Sequence, residues 1–560
     1  MTTPTPNPAL VSQREATPLP RLALALVCAA YLLPGLFGRD PWKNADITAF
    51  GYMVNIADGK VTWLAPTVGG IAPDGALLPY WLGAIFVKLA PAAIDPAFAA
   101  RLPYGALLGA ALALTWYATY HLARLASAQP LPFAFGGEAS TVDYARAIAD
   151  GALLALIASL GLLQLGHETT PELVQLFGVA LFLYGCAAML QRRDLGLPAL
   201  ALAMIVLGAS GAPTLAMLLA GAALFVVSVQ GRDGSLGPRP WLWILAAALL
   251  AALEAMALGA WANRLEAPDA TSQWLTMLRN LIWFTWPGGA LAAWTLWQWR
   301  RHLGSPHLLP PILVGAVMLA AYLGMNGLDR ALMLALPPLA ILAAFALPTL
   351  RRGVASAIDW FSVFLFSIVA ATAWLFYVAM QTGTPAKLAA NVAKLSPGYA
   401  NTFSPVALLV ALLATLAWIW LVRWRTGRNR HPLWKTLVLP AGGVTLLWLL
   451  GMTILLPPVD NARSYRSLVA RIAQRVPAST TCLSTPGLPL AEVAALEYYG
   501  GWRVDASTPL SQARCDYLLL APNQTLAAPE WQYLGRERRL RREDDGAEIY
   551  RRRTSSQPAS

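Results

Sequence analysis

Charged side chains are scarce in this chain. They make up 12% of its 560 residues, against roughly 25% in soluble domains, and that shortage excludes an ordinary water-soluble globular protein. Histidine and cysteine are scarcer still, at 5 and 4 copies, and no Cys/His spacing among them resembles a zinc site. No internal repeat is visible, which argues against an inverted-repeat transporter. No cleavable signal peptide is expected from the sequence: residues 1–20 are polar and proline-rich, and the first apolar run ends in no small-residue cleavage site.

What is abundant is hydrocarbon. Hydrophobic residues account for 57% of the chain and mean hydropathy is +0.52. Apolar runs near the ~20-residue length of a membrane helix fall at 22–37, 100–125, 147–163, 172–190, 195–208, 212–230, 240–262, 281–299, 310–325, 331–349, 357–380, 404–422 and 435–456. The class is a mainly α, polytopic membrane protein with about 13 transmembrane helices. The segment 78–92 is short and proline-bounded, and is read as an interfacial helix. Net charge is +12 and the pI is near 9.7. Arginines flanking membrane helices account for this without any nucleic-acid partner.

The arginines also orient the chain. With the N-terminus cytoplasmic, Arg192-Arg193, Arg232 with Arg239, Arg300-Arg301, Arg351-Arg352 and the basic run 423–435 all fall on the inner side. The opposite short loops around 164–171, 209–211 and 326–330 carry almost no positive charge, as the positive-inside rule requires. Residues 1–456 then form the membrane domain, with 38–99 as a long first outer loop. Residues 457–560 form a small outer α/β domain, with a helix at about 461–475 and strands in CDYLLLAP and EWQYLGRERRL. Cys28 and Cys186 lie in apolar runs as packing residues. Cys482 and Cys515 are the only pair in a domain assigned to an oxidising compartment, so a disulfide between them is expected.

Polar residues gather at the outer face. GRDPWKNAD (38–46) follows the first run directly, and Asp46 opens a segment whose Ile47, Phe50, Met53 or Val54, and Ala57 form an apolar stripe. This predicts a helix lying flat in the interface, with Asp46 either functional or a simple N-cap. His167-Glu168 is either an ordinary loop pair or part of a substrate or divalent-metal site. Glu172 is either functional or an acid favoured by the helix dipole. Arg264, Arg279 and Arg330 either meet substrate or snorkel to the interface. Glu254 lies within a run, on the half taken to be away from the outer site, and is set aside. The Trp-rich run 283–299 is read as an interfacial aromatic belt.

The order of these features resembles one group of enzymes. GRDPWKNAD, the Pro79-Tyr80-Trp81-Leu82 entry to the next segment, GHETTPELVQLF (166–177), GLDRALMLALPPLAIL (327–342) and LPPVDNARSYRSL (456–468) together cover most of the chain. The set resembles the polyprenyl-phosphate-dependent membrane glycosyltransferases of the GT-C fold. Its nearer branch is the aminoarabinose transferase-like group that modifies lipid A, and protein O-mannosyltransferases are more distant.

The resemblance implies a bacterial inner-membrane enzyme that works at the periplasmic face and takes sugar from a polyprenyl phosphate such as undecaprenyl phosphate. The acceptor would be lipid A-like or another lipid, glycan or cell-envelope molecule. It implies Asp46 as the first-loop catalytic carboxylate and Glu172 as the second acidic position, after His167 and Glu168. Lys43 would contact donor phosphate, with Asp40 in the same turn. Asp74 would take the acidic place of a Glu-Lys-Pro-Pro element ahead of Tyr80. Here the lysine of that element is absent and Gly75 stands instead, so phosphate binding shifts onto Lys43, Arg264, Arg279 and Arg330.

Such chemistry needs cations preset around the departing phosphate and, for a hydroxyl acceptor, a carboxylate base of raised pKa. For an anionic phosphate acceptor Asp46 would orient rather than deprotonate. No cofactor is identified from these residues, and a divalent metal ion stays open. A transporter or flippase of a lipid-linked sugar, and a protein O-glycosyltransferase, are the alternative readings.

Overall fold

The computed structural model describes residues 9–230, 239–261, 271–395, 401–427, 432–477, 479–522, 524, 526, 529–539 and 546–553. All thirteen apolar runs are helical over part or all of their length. Six helices are long and apolar enough to cross a bilayer: Pro96–Ala123, Pro171–Met189, Pro213–Gln230, Pro240–Ala257, Arg352–Thr382 and Pro405–Thr426. A seventh crossing would be the pair Lys435–Gly451 and Leu456–Arg463, bent by 75°. Length and composition alone therefore identify six or seven spans among the described residues, and the shorter apolar helices Arg21–Leu36, Leu309–Gly324 and Leu336–Thr349 make up part of the difference from the expected thirteen. The run 281–299 shows why: it is divided at Pro287 into Thr271–Phe284 and Gly288–Gln298, and the 11 residues of the second piece reach only ~16 Å. The chain is a multi-pass membrane protein whose buried centre lies where Pro96–Ala123 and Leu336–Ala346 each pack on both Thr141–Ala158 and Pro171–Met189.

Trp283 and Trp297 of the aromatic run are exposed, as a belt requires, whereas Trp299 is buried. The helix Leu78–Leu89 leaves Ile85, Phe86 and Leu89 exposed; its 12 residues are too short to span.

The polar C-terminal part folds into a mixed sheet. Its strands are β1 (Cys482–Ser484), β2 (Arg503–Asp505), β3 (Tyr517–Leu520), β4 (Trp531–Arg538) and β5 (Gly546–Arg552), in the order β2-β1-β3-β5-β4. β1 pairs in parallel with β2 and β3, while β5 runs antiparallel to β3 and β4. Helix Leu490–Gly500 makes the β1-to-β2 crossover. The two strands expected from sequence are β3 and β4. The single helix expected over 461–475 is two, Leu456–Arg463 and Arg466–Ala473, separated at Ser464-Tyr465. Cys482 and Cys515 are bonded, with Cα atoms 5.4 Å apart.

This domain rests directly on the first loop and alters the expected role of its helix. Ala45–Ala57 does not present its apolar stripe to lipid: the stripe, from Ile47 to Val54, and the opposite face, including Ala49, Tyr52 and Ile56, are both buried in protein. Leu78–Leu89 packs on one side and Leu490–Gly500 on the other. The rings of Phe50 and Tyr498 meet edge to face at 4.8 Å. A Cβ on Gly51 would come within 2.9 Å of Ala494, so the two helices approach closely only because that position has no side chain. The carboxylate of Glu497 accepts from Asn55 Nδ2 at 2.8 Å and Gly69 N at 2.9 Å.

Candidate functional site

The chain leaves the N-terminal apolar helix, Arg21–Leu32, through Gly35 and enters a turn stapled by one carboxylate. A Cβ at Gly35 would lie 2.4 Å from the His167 ring, so glycine is needed for this loop to sit against the loop 166–170. Asn44, at φ 67°, then starts Ala45–Ala57, and Asp46 in its first turn is fully buried. Asp46 Oδ2 accepts from Arg39 Nη1 at 2.8 Å and Trp42 N at 2.9 Å. Asp46 Oδ1 accepts from Thr169 N and Thr169 Oγ1, both at 2.8 Å. It is therefore no N-cap: it ties the first loop to the loop before Pro171–Met189. Burial alone would raise this carboxyl, but the Arg39 and Arg101 guanidiniums and the bonds from Thr169 and Trp42 outweigh it and hold it down at about 2. The raised pKa expected of a base is not found at Asp46.

Arg39 and Arg101, which hold Asp46, are not among the site residues expected from the sequence. Arg39 is buried, donates to Gly35 O and His167 O at 3.2 and 2.5 Å, and lies 4.8 Å from the Trp42 ring centre. Arg101, also buried, donates to Arg39 O at 2.6 Å. The signal for Arg39 stood inside GRDPWKNAD, as a cation seven positions before Asp46.

The second acidic loop supplies its own pair. Glu168 is buried and accepts from Gln164 Nε2 at 2.7 Å and from Arg330 Nη2. Arg330 also donates to Thr170 Oγ1 at 3.1 Å, and Glu172 Oε2 lies 3.9 Å from Arg330 Nη1. Glu172 is half-buried in the first turn of Pro171–Met189, and its Oε2 is shielded from solvent with no hydrogen-bond donor among the described residues. His167 is buried between Tyr31 and Trp448, with both ring nitrogens against backbone carbonyls, of Leu163 at 2.8 Å and Tyr31 at 2.9 Å. Burial pushes its pKa down to about 4, against the two carbonyl contacts, which favour the charged ring. Its ring is thus a strut between loops, with no nitrogen left to face a substrate. Among the described residues no three His, Cys, Asp or Glu side chains gather as a metal site.

The bent helix Leu456–Arg463 completes the cluster. The 75° turn between Lys435–Gly451 and this helix carries Asp460 and Arg463 to Trp42. Trp42 Nε1 donates to Asp460 Oδ1 at 2.9 Å. Arg463 lies 5.0 Å from the Trp42 ring centre, so the indole sits between two guanidiniums. Arg463 O accepts from Lys43 N at 2.9 Å. Among the described residues the Arg463 guanidinium has no hydrogen bond or ion pair, and Trp42 is its one ring contact. Burial lowers its pKa, which the charge of Glu168 partly offsets.

The remaining candidates are placed apart from this centre or committed elsewhere. Both oxygens of Asp40 are taken, by Ser464 Oγ at 2.7 Å and by Arg466 Nε and Nη2 at 2.9 and 2.5 Å. Burial opposes ionisation of Asp40, but Arg466 and Ser464 prevail and lower its pKa. It fastens the C-terminal domain rather than facing a cavity. Asp74 is exposed on the turn before Leu78–Leu89, and buried Tyr80 packs its ring on Tyr52 at 4.9 Å. Arg279 is exposed on Thr271–Phe284, and Arg264 lies outside the described residues. Glu254 stands in the last turn of Pro240–Ala257, which on the arginine-derived orientation is the outer end, not the half first assigned to it.

No family model matches the chain, and no curated protein matches it. Solved structures do. The crystal structure of ArnT from Cupriavidus metallidurans bound to undecaprenyl phosphate is 15% identical, covers 96% of this chain and 99% of its own, and superposes with a TM-score of 0.58. The apo structure of that protein gives 14% identity, 94% and 96% coverage and a TM-score of 0.57. The chain thus has the GT-C-type fold of an aminoarabinose transferase along nearly its whole length, as the sequence resemblance implied.

Proposed function

We propose that the chain is a membrane glycosyltransferase that moves a sugar from a polyprenyl-phosphate donor to a lipid A-like or other envelope acceptor at the periplasmic face of a bacterial inner membrane. The observation that carries this reading is the full-length likeness to a structure bound to undecaprenyl phosphate. The cluster around Trp42 supplies suitable chemistry. Arg463 and Lys43 would meet the donor phosphate, and fixed cations stabilise the charge that develops on it as the sugar departs. Glu172, with an oxygen lacking a donor, would receive the acceptor's proton or orient its hydroxyl. Asp46 is the anchor that presets Arg39 and the two loops.

The test is transfer itself. Membranes of a deletion strain analysed by lipid mass spectrometry should lack one sugar-modified species, and purified full-length protein with a polyprenyl-phosphate sugar should restore it. Unchanged lipids and glycans, with no transfer by the purified protein, would exclude this activity; sugar carried across vesicles without transfer would establish a flippase instead.

The face has a separate test. Cys482–Cys515 closes a loop of 33 residues, an entropic gain on the order of 3–4 kcal/mol, and should be oxidised in a periplasmic domain. Thiol labelling of denatured, unreduced protein should modify Cys28 and Cys186 only. Two further reactive thiols would put the domain in the cytoplasm.

A further inference from the structure

A cavity of ≈ 580 Å³ runs beside the N-terminal apolar helix, Arg21–Leu32, between it and the helices Pro96–Ala123 and Thr141–Ala158. Leu24, Cys28 and Leu32 form one wall, and Gly109 and Leu112 face them. From Arg21 to Leu32 the groove follows ~16 Å of helix, about half of a ~30 Å hydrocarbon core. Gly109 and Leu32 approach closely at its wall, with Leu32 Cδ1 3.4 Å from a Cβ added at Gly109. An apolar trough one leaflet deep suits a single acyl chain.

The mouth is cationic. Arg21 is exposed and Arg146 half-buried, and both line the cavity. Among the described residues neither side chain has a hydrogen bond or an ion pair within 4.0 Å. Arg124 lies over Tyr120 at 5.5 Å nearby. Asp143 and Asp150, one turn to either side of Arg146, offset part of this charge, but both are engaged elsewhere, Asp143 Oδ2 by Gln13 Nε2 at 2.7 Å and Ser140 Oγ at 2.8 Å, and Asp150 by Leu19 N at 2.7 Å and Trp116 Nε1 at 2.8 Å. The mouth also lies at the opposite end of Arg21–Leu32 from Gly35, Arg39 and Asp46, which on the arginine-derived orientation is the basic, inner side of the chain.

We propose that this groove holds one glycerophospholipid with an anionic headgroup, taken from the leaflet opposite the Asp46 site. Its phosphate would lie between Arg21 and Arg146, and one acyl chain along Cys28 and Leu32. A polyprenyl-phosphate donor does not fit this mouth, because its phosphate belongs at the other surface.

Native mass spectrometry of the purified full chain, with phosphatidylglycerol and phosphatidylcholine supplied equally, tests the proposal. One phosphatidylglycerol should be retained in roughly 10- to 30-fold preference, as two cationic groups near a lipid headgroup predict. R21Q/R146Q should reduce that preference below about threefold without altering undecaprenyl-phosphate binding. Ala113, exposed in the groove, gives a second variant: A113W keeps both arginines and should expel the lipid. Equal retention of the two lipids, an undiminished preference in R21Q/R146Q, or displacement by equimolar undecaprenyl phosphate would overturn the assignment.

Discussion

Asp46→Asn is expected to lower sugar transfer at least about 100-fold, a loss on the scale of removing an essential acid–base or positioning group, and to lower thermal stability as well. The carboxylate accepts four hydrogen bonds, from Arg39, Trp42 and twice from Thr169. An amide turns one oxygen into a donor that must face one of these donors, and it leaves buried Arg39 without its counter-ion. Breaking one side of such a buried pair typically costs about 3–5 kcal/mol.

The pH response separates this positioning role from that of a base. A carboxyl held at about 2 stays ionised throughout the working range, so Asp46 contributes no acid limb to the rate between about pH 5 and 8. Its folded-state pKa lies below the unfolded value of about 3.9. Its share of stability is therefore present above pH ~4 and is lost as pH falls through about 2. A wild-type rate falling below pH 6 with restoration by no other group than Asp46, or near wild-type transfer by Asp46→Asn, would contradict this account.

What the sequence revealed and what it hid divide along physical lines. Membrane helices are written locally, in runs of apolar residues, so all thirteen stretches were recognisable. Whether each crosses was not, because Pro287 and the 75° bend before Leu456–Arg463 act on geometry rather than on hydropathy. The stripe Ile47, Phe50, Met53 or Val54, and Ala57 was real, but a stripe cannot announce that its other face is covered too; here the cover is Leu490–Gly500, folded back from the C-terminal domain. Asp46 was legible as an isolated carboxylate after an apolar run. Its partner Arg39 read as an ordinary flanking arginine, since a separation of seven across a turn belongs to no helical or strand period. Asp460 lies 418 positions from Trp42, so no local pattern joins them. The same distance hid Arg463, while Arg330, nearer to the expected motif, drew attention that its bonds to Glu168 and Thr170 make less deserved as a free substrate contact.

Arg463→Gln is expected to lower kcat/KM for the polyprenyl-phosphate sugar by about 10- to 100-fold, the range of one charge-assisted hydrogen bond to phosphate, with little change in stability. The guanidinium has no hydrogen bond or ion pair to lose among the described residues. Its stacking on Trp42 is worth only about 0.5–1 kcal/mol at a partly exposed site. Arg330→Gln should show the opposite balance. That change strips Glu168, 2% exposed, of its cation, so thermal stability should fall first, by the few kcal/mol of a broken buried pair.

Arg463→Lys should restore part of the activity lost in Arg463→Gln, because a point charge still attracts phosphate although it cannot bind two oxygens in a planar fork. Added salt should narrow the gap between wild type and Arg463→Gln, since the site is partly open to solvent and its attraction is screened. The measurement is donor-dependent transfer by the full-length protein, alongside its melting temperature. Unchanged kcat/KM in Arg463→Gln would move the phosphate away from Trp42, and a melting temperature lowered as far as in Arg330→Gln would make Arg463 a structural strut.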